Sequence, residues 1–487
     1  MKPPLTIEDS TNWWNFWKQI TVEPVITLYM LAFMITTVVE QSFFVNKACR
    51  VDHNFNETIC NNIHKPENKN FSDQVQVTVS TFHQWNNLLG HIIPIILALF
   101  IGAWSDRRGR KLPLIIGLCG KLFYSCMIIV NSLQPTWPLN YVIYTATLPS
   151  TITGIDVTIF AAGLSYLSDV TQTEKRTLRI TILDICYLST MPSGIALGRY
   201  LFSDVTNRSY SILFGINASL VMIAILYAFW ILKWTTTDRQ QTMCEAKVNV
   251  FVDFFDKDHV VKTYRSITKW RPENRRMYLI LIIIVMMFYT FQRDEKEYTY
   301  LFFTKESNWS DNKYSNFRTF QSCFYVLTML IAAPIMNKVL GLRDTIIIMF
   351  GSFSHMLCRI IFIFGHTNWL YYLGAVISSL GPIVAPALRS MTSKIVSMPE
   401  RGRVMSILSV AENAAPFISG VLYTQVYNAT ISTYPQGIFW LTIATQIFVF
   451  ISILFIHLRT DNAMLIHEEV NESQVCCIES SSDNVRT

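Results

Sequence analysis

Apolar runs alternate with short polar breaks along nearly the whole chain. Twelve runs approach the ~20 residues a helix needs to cross a bilayer. They fall at about 25–45, 82–104, 112–133, 141–167, 180–202 and 212–232, then 277–300, 320–339, 345–364, 369–395, 404–427 and 437–457. The longest polar segment, 233–276, separates two sets of six. The pattern therefore predicts an all-α membrane protein with twelve transmembrane helices. Its parts are a cytoplasmic N-terminus (1–24), a first six-helix bundle (25–232), a cytoplasmic linker (233–276), a second bundle (277–457) and a cytoplasmic tail (458–487). Residues 46–80 read as a polar outer loop.

Composition supports this reading. Of 487 residues, 51% are hydrophobic and only 15% charged, against about 25% charged in soluble domains. The net charge of +6 sits largely in the loops assigned to the cytoplasm, so it sets topology and does not imply nucleic-acid binding. The ten cysteines form no zinc pattern, and no metal or cofactor is expected. No Walker loop or catalytic triad spacing is present, so neither an enzyme nor an ATP-driven pump is expected.

Residues 102–111 read GAWSDRRGRK between two uncharged runs. A short basic turn of this kind marks the cytoplasmic side. Gly102, Asp106, Arg107, Gly109, Arg110 and Lys111 match G-x-x-x-D-R-x-G-R-[RK]. This resembles the loop between helices 2 and 3 of the major facilitator superfamily of transporters. Gly102 would allow close helix approach, Gly109 the tight turn, and Arg110 and Lys111 would hold the loop at the headgroups. Gly341, Leu342, Arg343 and Asp344 occupy the corresponding place in the second half. Two parallel six-helix repeats around a cavity is the arrangement the resemblance implies.

Residues 378–406 carry Pro386, Arg389, Ser393, Lys394, Val396, Gly402 and Ser406 in span 10 and its exit. With Glu23-Pro24, Ser168-Asp169-Val170 and Arg176-Thr177-x-Arg179, they resemble the proton-coupled folate transporter family, solute carrier family 46. The resemblance implies substrate contacts at Asn87, Tyr325 and Arg389 and a proton-coupling acid at Asp184. That family's span 4 acid falls on Ile155, beside Asp156, its span 7 histidine on Phe291, and an outer cysteine on Asn308. Asp156 is carried as a candidate for both substrate and proton. Family members handle folates, and others are associated with muropeptides or cyclic dinucleotides.

The residues carry an argument of their own. An ionisable group inside a span is costly and faces a cavity or a partner, which singles out Asp156, Asp184 and Arg389. An arginine offers a planar fork of donors to a carboxylate or phosphate. In span 7, residues 292–297 (QRDEKE) either end the helix early or line an outer cavity mouth. His355 and Arg359 share one face of span 9, where a structural role is expected. Glu412 is expected to pair with Arg403 or with the loop after span 2. Gly194 and Gly198 in span 5 suit bending or close packing.

Sequons at Asn56, Asn70, Asn207, Asn308 and Asn428 fall in predicted outer loops, whereas those at Asn217 and Asn471 should be unused. Cys49 and Cys60 share the first outer loop and are expected as a disulfide, two free thiols being the alternative. The expected function is secondary transport of a small organic anion with protons, by a monomer in the lipid bilayer. The plasma membrane is expected ahead of the lysosome. The alternatives are a proton-independent facilitator and a non-transporting receptor on the same fold.

Overall fold

A computed structural model describes residues 20–171, 173–236, 240, 253–255, 274–365, 367–396 and 398–459. Most of the N-terminus, the linker and the tail, with Cys476–Cys477 and Asn471, lie outside them. The described residues are helical, with no strand among them. Nine of their helices are long and apolar enough to cross a membrane.

The first half comprises α1 (Glu23–Lys47), α2 (Lys69–Arg108), α3 (Lys111–Leu133), α4 (Ile155–Val170), α5 (Thr173–Tyr200) and α6 (Tyr210–Ile231). The second comprises α7 (Arg275–Thr290), α8 (Glu295–Glu306), α9 (Asp311–Leu327), α10 (Asp344–Phe364), α11 (Asn368–Ile377), α12 (Val384–Ile395), α13 (Met398–Thr430) and α14 (Gly437–Arg459). Every predicted span coincides with helix, and three are interrupted. Span 4 breaks at Gly154 and Ile155, both at positive φ (74° and 35°). Span 7 breaks between α7 and α8, and span 10 tightens into a 3-10 segment, Ser378–Ile383, that contains Pro382. A proline removes one helical donor and crowds the preceding turn.

Two spans start earlier than hydropathy suggests. α2 begins at Lys69, inside the predicted outer loop, because Ser72, Val75, Gln76, Val79 and Phe82 form one buried stripe at helical spacing. α9 begins at Asp311 for the same reason, burying Tyr314, Phe317 and Gln321. A search for uniformly apolar runs misses such amphipathic turns. In the remaining outer loop, Cys49 and Cys60 are joined in a disulfide.

The basic turn after α2 is not a headgroup anchor. Arg110 and Lys111 are buried. Lys111 Nζ donates to the carbonyls of Phe229 and Leu232 at 2.7 Å each, closing the C-terminus of α6, where a cation is favoured. Arg110 Nε lies 3.1 Å from Asp169 at the end of span 4. The second half repeats the pairing with the charges exchanged: Asp344 after span 8 meets Lys394 in span 10 at 2.8 Å. Gly109 has φ 96° and lies against the Trp234 carbonyl, so a side chain there meets both strain and a clash. Gly102 has open space beside it, and its expected close helix approach is not made in this conformation. The side chain of Asp106 lies outside the described residues. At Gly198 a side chain would strike the Ile35 carbonyl, so α5 packs directly on α1.

The contacts described between the halves gather at the outer ends. Lys305 Nζ meets Asp73 at 2.6 Å, Tyr427 donates to Gln76 at 2.5 Å, and Ser42 donates to Asp311 at 2.6 Å. Toward the side predicted to be cytoplasmic, Asp184 and Arg389 are exposed.

Candidate functional site

The break in span 7 builds the centre of the site. α7 ends at Thr290, Phe291–Arg293 form one 3-10 turn, and α8 resumes at Glu295. The charged cluster 292–297 therefore neither ends the span nor sits at an outer mouth. It lies in the interior, and its members divide by direction. Glu295 is 2% exposed and meets Arg359 at 3.1 Å, with the Thr442 hydroxyl donating to the same carboxylate. Asp294 is buried and accepts from Ser419. Arg293 and Lys296 point the other way and are exposed. Neither makes a hydrogen bond or ion pair among the described residues. Arg318 of α9 is within electrostatic reach of Lys296 and bonds only the Gln321 amide, at 2.6 Å. Among the described residues these three basic groups thus make no ion pair with a carboxylate, although Asp294 lies within electrostatic reach of Arg293 and Lys296.

Arg359, for which the sequence suggests a structural role, is buried in this network, with His355 Nδ1 3.0 Å from its guanidinium. Its role is structural: an arginine and a glutamate removed from water need each other.

The other predicted residues surround this centre. Arg389 Nη2 donates to both carboxylate oxygens of Glu412, at 2.6 and 2.9 Å. Glu412 is thus held by span 10, because α12 and α13 pack side by side, and the side chain of Arg403, an expected partner, lies outside the described residues. Half of the Arg389 side chain (48%) is still exposed, leaving donors free. Asp184 is exposed and within electrostatic reach of Arg389. Tyr187, one helical turn on, is within reach of Arg293, Arg389, Asp184 and Asp156. Tyr325 lies 3.3 Å from the Ser378 hydroxyl, beside the tightened part of span 10. Asn87 donates to Glu297 at 3.2 Å, and His83 lies 3.1 Å from the same oxygen.

Asp156 falls in the first turn of α4 because the chain turns at Gly154 and Ile155. Its carboxylate accepts from the Tyr29 hydroxyl, so it faces the bundle interior. One acid escaped the sequence reading. Glu40 of α1 accepts from Tyr124 and lies within electrostatic reach of Lys121 and Asp156. The signal was available, as a single charge within the apolar run 25–45.

In the linker, Asp253 accepts from Arg108 Nε and Nη2 at 2.7 and 2.8 Å and from Trp104 Nε1 at 3.0 Å. Those bonds hold the Asp253 carboxyl below its ordinary value. The sequons are arranged unevenly. Asn56, Asn207 and Asn308 are exposed outside the spans and Asn70 is exposed in the first turn of α2, whereas Asn428 is half-buried inside α13, hydrogen-bonded to Ser80 and Thr81. Asn217 is buried in α6 against the Ala32 carbonyl and Ser125. No group of side chains among the described residues could hold a metal.

The chain is similar to several characterised proteins. It is 25% identical over 472 residues to a chicken lysosomal proton-coupled steroid conjugate and bile acid symporter, SLC46A3, covering 93% of this chain and 98% of the relative. It is 22% identical to a fruit-fly (Drosophila melanogaster) protein named a probable peptidoglycan muropeptide transporter, covering 86% and 81%. It is 21% identical to the rat proton-coupled folate transporter, covering 74% and 75%. Among solved structures, the human organic anion transporter MFSD10 superposes with a TM-score of 0.61 at 13% identity, over 89% of this chain and 97% of that one. A D-xylose-proton symporter gives 0.62 at 11% identity, over 90% and 96%. The family model of the Major Facilitator Superfamily matches residues 71–316 and again 298–472. With two such matches over two six-helix repeats, the chain belongs to the Major Facilitator Superfamily and is a multi-pass membrane transporter.

Proposed function

We propose that this transporter carries small organic anions together with protons, by alternating access. The observation that carries the reading is the trio Arg293, Lys296 and Arg318, which makes no ion pair with a carboxylate among the described residues. Cations kept in a cavity at this cost are matched by a substrate that brings negative charge. Arg389, held by Glu412 but half exposed, adds a fork for a carboxylate or phosphate nearer the cytoplasm. Asn87 and Tyr325 contribute neutral donors at the cavity wall. Asp184 and Asp156 are the proposed proton carriers. Protonating Asp184 removes its attraction for Arg389 and so biases the pairing that the substrate must disturb.

The relatives' names give the panel to test: a steroid conjugate, a muropeptide and a folate, with a cyclic dinucleotide added. A lysosomal relative leaves the plasma-membrane preference without support, and tagging the chain in cells decides the address. The experiment is uptake into cells or vesicles at acidic and neutral pH. Acid-stimulated uptake, lost in Arg293→Ala and in Arg389→Ala, is the expected result. Asp184→Asn is expected to transport without pH dependence. Unchanged pH dependence in that variant would move the proton elsewhere. Equal wild-type uptake at both pH values would make the chain a facilitator.

A further inference from the structure

On the lipid-facing side of the second half, α7 and α14 leave a groove between their cytoplasmic thirds. Its volume is about 790 Å³. Ile280, Leu281, Ile284, Ile451 and Phe455 form its apolar walls, and Arg276 stands at its inner end. From residue 276 to 284 a helix rises about 12 Å, close to the ~15 Å depth of one leaflet's hydrocarbon. The groove therefore has the length and position of a lipid chain in the cytoplasmic leaflet.

Three polar features go beyond what an indifferent lipid-facing surface needs. Arg276 is exposed and makes no hydrogen bond or ion pair among the described residues. Arg459, at the end of the opposite wall, has its guanidinium 4.6 Å from the centre of the Phe455 ring. The two helices run antiparallel, so both cations stand at the cytoplasmic end and flank one mouth. Ser452 lines the groove and is only 7% exposed, yet its hydroxyl has no hydrogen-bond partner among the described residues. Thr445, two turns earlier on the same helix, satisfies its hydroxyl on the Thr442 carbonyl at 2.8 Å.

We propose that this groove binds an anionic phospholipid of the cytoplasmic leaflet. One acyl chain lies between α7 and α14, the phosphate sits between Arg276 and Arg459, and Ser452 donates to an ester oxygen. The charge selects the headgroup, because a basic residue at the membrane surface contributes about 1 kcal/mol toward an anionic lipid. Two such residues give about 25-fold preference.

The test uses the full-length protein in detergent, with native mass spectrometry and thermal unfolding against added phosphatidylglycerol or phosphatidylcholine. Wild type is expected to retain phosphatidylglycerol about 25-fold more strongly and to unfold at higher temperature with it. Arg276→Gln with Arg459→Gln should lose the preference while keeping weak binding of either lipid, and lysine at both positions should restore it. Ile280→Trp keeps both cations but fills the groove, and should lose both lipids. It also carries the test if the glutamine pair fails to fold. Equal binding of the two lipids by wild type, an unchanged preference in the glutamine pair, or full retention in Ile280→Trp each overturns the proposal. A dimer that forms in place of lipid binding would assign the face to a second copy and overturns it as well.

Discussion

In the first half, Tyr29 donates to Asp156 and Tyr124 to Glu40. In the second half, Arg359 meets Glu295, Arg389 meets Glu412, and Arg293, Lys296 and Arg318 make no ion pair among the described residues. The difference is chemical. A tyrosine hydroxyl can donate to a carboxylate or accept from a carboxylic acid, so an acid beside it can change protonation and keep a partner. An arginine can only donate, and a protonated partner leaves its charge exposed. The first half is therefore suited to handling a proton. The second is suited to holding an anion. The proposed symport would need both on the two sides of one cavity, and one repeat would supply each.

The sharpest way to break this comparison is at the buried pair of the second half. Arg359→Ala leaves Glu295 charged and alone, which should cost about 3–5 kcal/mol. A marked fall in unfolding temperature and in yield is expected. Wild-type stability would show that Glu295 does not depend on that arginine.

Next is the cationic trio. Arg293→Ala combined with Lys296→Ala should reduce uptake of an anionic substrate about 10- to 100-fold, the worth of one or two hydrogen bonds to charge. Unfolding temperature should hold or rise, because the repulsion between neighbouring cations is relieved. Loss of stability together with transport would recast the trio as structural.

In the first half, the effects should be smaller and shifted toward pH. Tyr29→Phe and Tyr124→Phe each remove one hydrogen bond to an acid, about 1.5–3 kcal/mol when that acid is charged. That bond favours the charged carboxylate, so without it the acid takes its proton more readily, and each variant should keep acid-stimulated uptake to higher pH than wild type. A pH-independent loss in both would remove the contrast between the halves.

The smallest effect is at the linker. Asp253→Asn replaces a bidentate carboxylate at Arg108 and should cost about 1–2 kcal/mol of linker docking, read as faster proteolysis of residues 233–276. The Asp253 carboxyl sits below its ordinary value of about 3.9, so its contribution is full above that value. It is lost only as pH falls through the lower, folded value. Docking should therefore be unchanged from neutral pH down to about pH 5. Release near pH 5 would mean that another group controls it.

Much of this was legible in the chain. Twelve apolar runs determine an all-α membrane protein, because a bilayer admits only helices or closed barrels, and the resemblance carried by the turn at 102–111 and its echo at 341–344 implies a transporter of two repeats. Asp156, Asp184 and Arg389 stood out because charge inside a span is rarely accidental. The uniform-hydropathy criterion hid the outer turns of α2 and α9, whose buried stripes contain serine and glutamine. Direction was not legible either. Residues 292–297 mix acids and bases with no periodic clue to which would be buried, and only the break at Phe291–Arg293 turns Glu295 toward Arg359 and leaves Arg293 and Lys296 exposed. Arg110 and Lys111 read as surface charge until α6 is placed with its terminal carbonyls above them. The sequence by itself determined which residues are too costly to bury alone. Only the tertiary structure decided which of them have partners, because pairing depends on helices far apart in the chain meeting at a few ångströms.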